Sequence, residues 1–198
     1  MTDIKAHGIG NLQFIHFNAE SVNWYDPLKE YTLIEYQWVR DNCKLEGETV
    51  IDAGCHHGNY AVVFKPAFVV AVDNVISNCS YAKSNMILND MDFVVQHETL
   101  GADGVKTNRR PSIYKVDIEG AEFQLFPDEM KRFPSVKTWI VEVHPKQGDP
   151  NRIAGMFLDA GFELLKVDRE TMTVRPYELG EHWPEHSTLI AERIGDVR

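Results

Sequence analysis

The most constraining feature of this chain is a repeated rhythm. Short apolar runs, "ETVIDAGC", "FVVAVD", "DFVVQHETL", "SIYKVDI" and "VKTWIVEVH", alternate with stretches of helical spacing or turn residues. Runs this short, rich in Val and Ile, suit strands buried on both faces. Strands alternating with helices predict a mostly parallel sheet covered by helices on both faces. Two further runs, "FELLKVD" and "STLIAERI", raise the expectation to about seven strands. No clear helical period joins those last two, which allows an antiparallel edge strand. The fold class is therefore α/β, expected as a single domain over residues 1–198. Residues 1–45 form an arm and a helix before the core: "LQFIHF" suits a hairpin or extended arm, and residues 27–44 carry Pro at the front and helical spacing. "GAEFQLFPDEM" is expected as one helix with a proline in it, and the segment after "FELLKVD" as a loop.

The composition narrows the function. A chain of 198 residues, 43% hydrophobic, can bury a substantial core. Its net charge of −10 lacks the basic footprint that phosphate backbones or anionic membranes require. No nucleic-acid or membrane partner is expected, and a small or neutral substrate fits better. No run of 18 apolar residues exists, and the first twenty residues lack a basic start followed by an apolar core. Cys43, Cys55 and Cys79 are widely spaced without a C-x-x-C pattern, so neither a disulfide framework nor a zinc site is expected. A cytoplasmic protein with reduced thiols is the expectation.

Ligands of open α/β sheets bind beyond the carboxyl ends of the strands, so those ends carry the chemistry. The first core strand ends in "DAGCHHG", with Asp52, Gly54 and Gly58. Gly54 allows a tight turn where a ligand approaches closely, and Gly58 allows close packing. The second ends at Asp73, about 20 residues on, where an acid can accept both hydroxyls of a ribose. His56 stands where a dinucleotide fingerprint has its middle glycine. A loop led by Asp52 suits a cationic ligand better than a pyrophosphate. S-adenosylmethionine combines a sulfonium, an amino group and a ribose. Asp52 would favour its methionine portion and Asp73 its ribose. The fourth strand, "SIYKVDI", ends in Asp117 and Glu119, then enters a helix through Gly120. Carboxylates there are costly to desolvate and better explained by a ligand than by packing. Two other readings remain open: a nicotinamide-dependent oxidoreductase, and a module that binds the cofactor without catalysis.

Together, "VIDAGCHHGNYAVVF", "VVAVDNVISNCSYAKSNMILND", "YKVDIEGAEFQLF" and "WIVEVHP" resemble the FkbM-type methyltransferases, class I enzymes that use S-adenosylmethionine and carry a Rossmann-like fold. The resemblance spans about residues 48–145. Its most specific part is K-x-D-x-E-G-A-E, standing here as Lys115, Asp117, Glu119, Gly120, Ala121 and Glu122; Asn85 and Asn89 on the helix also contribute. It implies O-methylation of a hydroxyl, with a sugar or glycan as substrate class. The cofactor would lie against Asp52, Gly54, Cys55, His56, Gly58, Asp73, Asn74, Thr99, Leu100 and Asp117. The catalytic group would comprise Asp117, Glu119, His144 and Glu142. His144 is the preferred base, with Glu142, two residues earlier on the same strand face, orienting it or contacting substrate. Glu122 is read as a structural residue of the helix's first turn. Asp117, Glu142 and His144 also offer donors for a divalent cation, but a metal-free site is favoured. Departures from the family are Asp73-Asn74 in place of Glu-Pro, and the pair His56-His57. The tail "EHWPEH" is a candidate cover for the substrate, with Trp183 as a sugar-stacking face.

Overall fold

The computed structural model describes residues 5–9, 11–17, 30–101, 103–183 and 187–193. A hairpin comes first: β1 (Lys5–Ile9) pairs antiparallel with β2 (Leu12–His16). Helix α1 (Glu30–Asn42) follows, then β3 (Thr49–Ala53), the short α2 (Asn59–Val63) and β4 (Phe68–Asp73). Next come α3 (Ile76–Leu88), β5 (Phe93–His97) and β6 (Ile113–Val116). The expected helix after β6 is two short ones, α4 (Glu122–Leu125) and α5 (Asp128–Arg132). Phe126, which precedes Pro127, is extended at ψ 143, because proline disfavours the helical region for its predecessor. The chain continues through β7 (Thr138–Val143), α6 (Pro150–Asp159), β8 (Phe162–Asp168), β9 (Thr173–Pro176) and β10 (Ser187–Arg193).

Eight strands, not about seven, form the main sheet in the order β5-β4-β3-β6-β7-β10-β8-β9. The five strands from β5 to β7 are parallel, and β10 runs antiparallel between β7 and β8. The additional strand is β9, an outer strand antiparallel to β8. Its four residues, exposed at both ends and half-buried between, show no apolar alternation, so it read as loop.

The sheet is covered on both faces, which is why β3, β4 and β6 are almost continuously buried. On one face, Val50, Ile113, Ile140 and Ile190 pack with Val39 of α1, Val62 of α2, Met86 of α3, and Leu12 and Phe14 of β2. On the other, Ile51, Tyr114, Trp139 and Leu189 pack with Leu125 of α4 and Ile153 and Phe157 of α6. From β3 the chain builds outward to β4 and β5, then returns to place β6 and β7 on the opposite side. The crevice at the carboxyl ends of β3 and β6 is the topological switch point. No helix among the described residues is long and apolar enough to cross a membrane.

Candidate active site

The glycine loop starts where β3 meets β6. Gly54 has φ +77, and a Cβ there would lie 1.6 Å from the carbonyl oxygen of Asp117. The backbone of Asp117 by itself therefore demands this glycine. A Cβ on Gly58 would lie 2.8 Å from Cα of Ala82, so its role is the close approach of α3. Cys55 turns its side chain into the core and contributes its backbone to the loop, where N–H donates to Val72 O at 3.0 Å. His56, in a left-handed conformation at φ 47, donates its N–H to Asp73 Oδ2 at 2.9 Å.

Asp73 thus closes the loop onto β4. Its carboxylate also accepts from Val75 N at 2.8 Å and Asn78 Nδ2 at 3.2 Å. Three of roughly four acceptor positions are occupied, which leaves capacity for one ribose hydroxyl rather than two. Exposed Asn74 flanks it, with its carbonyl oxygen 3.0 Å from His97 Nε2. Exposed Thr99 and buried Leu100 follow Glu98, whose N–H donates to Asp73 O at 3.0 Å.

Lys115 is the electrostatic centre. Its buried ammonium lies 3.1 Å from Asp117 Oδ2, 3.7 Å from Asp52 Oδ1, and 5.2 Å from the ring centre of Tyr60. Burial alone would lower its pKa, but the carboxylates of Asp117, Asp52 and Glu142 outweigh it and raise the pKa. Asp52 is fully buried, and neither oxygen has a hydrogen-bond partner. Burial pushes it up to about 6 against the pull of Lys115. Asp117 is the more open of the two acids. Asp52 therefore acts on anything in the crevice through its field, and Asp117 is placed to touch it.

Two further acids extend this layer. Glu142 Oε1 lies 3.3 Å from Arg169 Nη2, and burial together with Asp117 and Glu35 pushes Glu142 up to about 8. Thr188, opposite Glu142 in the strand register, donates to Glu35 Oε1 at 2.6 Å.

His144 follows the last residue of β7. Its N–H and Nδ1 both meet Glu122 Oε1, at 2.8 and 2.9 Å, while Glu122 Oε2 accepts from Gly120 N at 2.8 Å. The Nε2 side faces Glu119 Oε2 at 3.5 Å. Glu119 itself is left-handed at φ 55, a strained turn of the kind that clusters at functional sites. Burial alone would lower the imidazole pKa. The hydrogen bond and charge of Glu122, with Asp117 and Glu119, raise it instead to about 9.

The orienting carboxylate of His144 is thus Glu122, not Glu142 as expected. The alternation that aligned 142 with 144 stops where β7 ends at Val143. Asp117, Glu119 and His144 also bring one donor atom each within 4.8 Å of one another, close enough for a cation. Glu119 takes the place in this trio that the sequence gave to Glu142.

The FkbM methyltransferase domain profile matches residues 6–164. The chain belongs to the FkbM methyltransferase family. Solved structures share the fold across most of this chain. An S-adenosylmethionine-dependent methyltransferase from Agrobacterium tumefaciens has a TM-score of 0.65 at 11% identity, covering 97% of this chain and 71% of that one. Magnesium protoporphyrin IX methyltransferase from Synechocystis, solved with bound S-adenosylmethionine, has a TM-score of 0.56 at 18% identity, covering 82% and 79%. An S-adenosylmethionine-dependent O-methyltransferase from Thermotoga maritima has a TM-score of 0.55 at 13% identity, covering 83% and 66%. No curated protein matches the sequence. Membership supports S-adenosylmethionine-dependent methyl transfer and sets the chain with methyltransferases rather than nicotinamide enzymes. The residues fit that cofactor: the buried carboxylate of Asp52, which accepts no hydrogen bond, and the partly open Asp117 share the single Lys115, a balance that favours a cation.

Sequence reasoning passed over several parts of this FkbM protein's crevice. Lys115 was visible only as a motif letter, and Glu35 and Arg169 carried no signal at all. Trp183 is buried and packs on Tyr177, whose hydroxyl lies 3.3 Å from its Nε1, so its face is not offered to a sugar. In the same segment Glu181 pairs with Arg175 and the His182 carbonyl accepts from Lys166 Nζ at 2.8 Å, while residues 184–186 lie outside the described residues.

Proposed function

We propose that this FkbM protein transfers a methyl group from S-adenosylmethionine to a hydroxyl, with a sugar or glycan as the acceptor class. One observation carries the reading. An imidazole at the carboxyl edge of the sheet has its Nδ1 held by the buried carboxylate of Glu122, with Nε2 3.5 Å from Glu119 Oε2 and Asp117 in the same cluster of donor atoms. That is the arrangement of an oriented general base.

When bound, the cofactor supplies an electrophilic methyl on a positively charged sulfur. The loop backbone over residues 54–58 and the Asp73 carboxylate would hold it, with Asn74, Thr99 and Leu100 on its nucleoside side. Asp117 would contact the cationic portion, and Asp52 would stabilise it from behind Lys115. In its neutral form, His144 Nε2 would take the proton of the acceptor hydroxyl. Glu122 positions the ring and stabilises the imidazolium. Glu119 sits where it can accept a hydrogen bond from an acceptor sugar, and Glu142, paired with Arg169, lies on the acceptor side of the same layer. Asp117, Glu119 and Glu122 surround His144 with negative charge, which favours neutral acceptors over anionic ones.

The test is transfer of labelled methyl to a panel of free sugars, glycans, amines and carboxylic acids. The expected product is an alkali-stable ether on a sugar hydroxyl, with kcat lowered about 100-fold or more in His144→Gln. Labelling of amines, or an alkali-labile ester, would overturn the reading.

A further inference from the structure

Two asparagines on α3 hold the N-terminal hairpin in an unusual way. Asn89 Oδ1 accepts from Gln13 N at 2.9 Å, and its Nδ2 donates to Gln13 O at 2.6 Å. Asn85 Oδ1 accepts from Ile15 N at 2.7 Å, and its Nδ2 donates to Ile15 O at 3.0 Å. Each amide therefore stands in for one residue of a neighbouring strand. The spacing matches: four helical residues rise about 6 Å, and two strand residues about 6.8 Å. The outer edge of β2 is paired to a helix instead of to a strand. Leu12 and Phe14, pointing inward between these contacts, supply the apolar anchoring. The amides fix which residues of β2 face α3.

Asn85 makes one more bond. Its Nδ2 also donates to the carbonyl oxygen of His57, in the glycine loop, at 2.8 Å. Asn89 Nδ2 in turn donates to Asn85 O at 2.8 Å. A continuous hydrogen-bonded path thus runs from β2 through α3 to the loop. We propose that Asn85 and Asn89 are positioning residues that make the docked hairpin a strap holding residues 54–58 in their ligand-binding shape. The effect on affinity rests on the cofactor reading above; the effect on the loop does not.

The experiment compares wild type with Asn89→Ala, which touches β2 but makes no side-chain bond to the loop. Hydrogen exchange is followed at residues 54–58 without ligand, and S-adenosylmethionine affinity is measured by calorimetry. Faster loop exchange and a Kd raised about fivefold are expected, with kcat at saturating cofactor unchanged; that factor is the size of ~1 kcal/mol of lost hydrogen bonding. Gln13→Pro is the second variant. It removes the N–H that Asn89 Oδ1 accepts and leaves the residues of α3 unchanged. Faster exchange in the hairpin alone, with loop exchange and Kd unchanged in both variants, overturns the proposal. A wild type that binds no cofactor refutes the cofactor reading, while the exchange comparison still decides the strap.

Discussion

Replacing Glu122 by Gln tests the pairing at the centre of the site. The substitution keeps volume and removes charge. It leaves His144 with Asp117 and an exposed Glu119, while burial still lowers the imidazole pKa. The His144 pKa should then fall from about 9 towards its ordinary 6.5. Holding a proton from 6.5 up to about 9 corresponds to roughly 3 kcal/mol at 1.36 kcal/mol per pH unit. Solvent screening on the Glu119 side reduces the recoverable part to ~1–2 kcal/mol. A raised folded-state pKa stabilises fully below the unfolded value, and that stability fades as pH rises through the folded value. Wild type should therefore exceed Glu122→Gln by that pH-dependent amount below about pH 6.5, and the excess should vanish above about pH 9. Gly120 N, left facing an amide nitrogen or a reoriented oxygen, adds a difference that does not vary with pH. Urea unfolding across this range, beside an NMR titration of the His144 ring, reads both quantities. A stability difference flat from pH 6 to 10, or a wild-type His144 titrating below about 6.5, would refute the reasoning.

On the proposed role of His144 as base, the same proton would govern catalysis. A base must be deprotonated, so kcat/KM should rise with pH to a limb near 9, and Glu122→Gln should move that limb to lower pH, as a pH–rate profile would record. Lys115→Met strands Asp52 as a buried carboxylate without its cation; a stability loss of ~3 kcal/mol at neutral pH is expected, shrinking in acid as Asp52 takes a proton, by chemical unfolding at several pH values. On the metal-free reading, chelation should leave methyl transfer unchanged; recovery of lost activity by a divalent metal at Asp117, Glu119 and His144 would contradict it.

The central strands were legible because they are buried on both faces, and continuous runs such as "TVIDA" and "FVVAVD" have few other solutions. Their carboxyl ends were legible for the same reason: Asp52, Asp73 and Asp117 are polar residues that a buried strand does not otherwise end on. What long-range geometry decides was not legible. Glu122 meets His144 across 22 positions, a pairing set by where α4 starts against the end of β7. Lys115 reads as one polar residue within an apolar run until β3 brings Asp52 beside it. Gly54 was singled out for a ligand's approach, and the Asp117 carbonyl, which also requires it, left no trace in the sequence. The strap was hidden because Asn85 and Asn89 look like polar helix residues unless β2 is seen against them. In β9 the period-2 pattern is missing altogether, since an outer strand has little to bury.

The most direct measurement is calorimetric titration of the protein with S-adenosylmethionine and S-adenosylhomocysteine, beside NADH, in wild type and in Asp73→Ala. The account predicts that wild type binds the first two and not NADH. It also predicts that Asp73→Ala, having lost the acceptor that fastens His56 N and would take the ribose, binds them at least about tenfold more weakly. Wild type that binds neither, or binds NADH in their place, would contradict the account at its root.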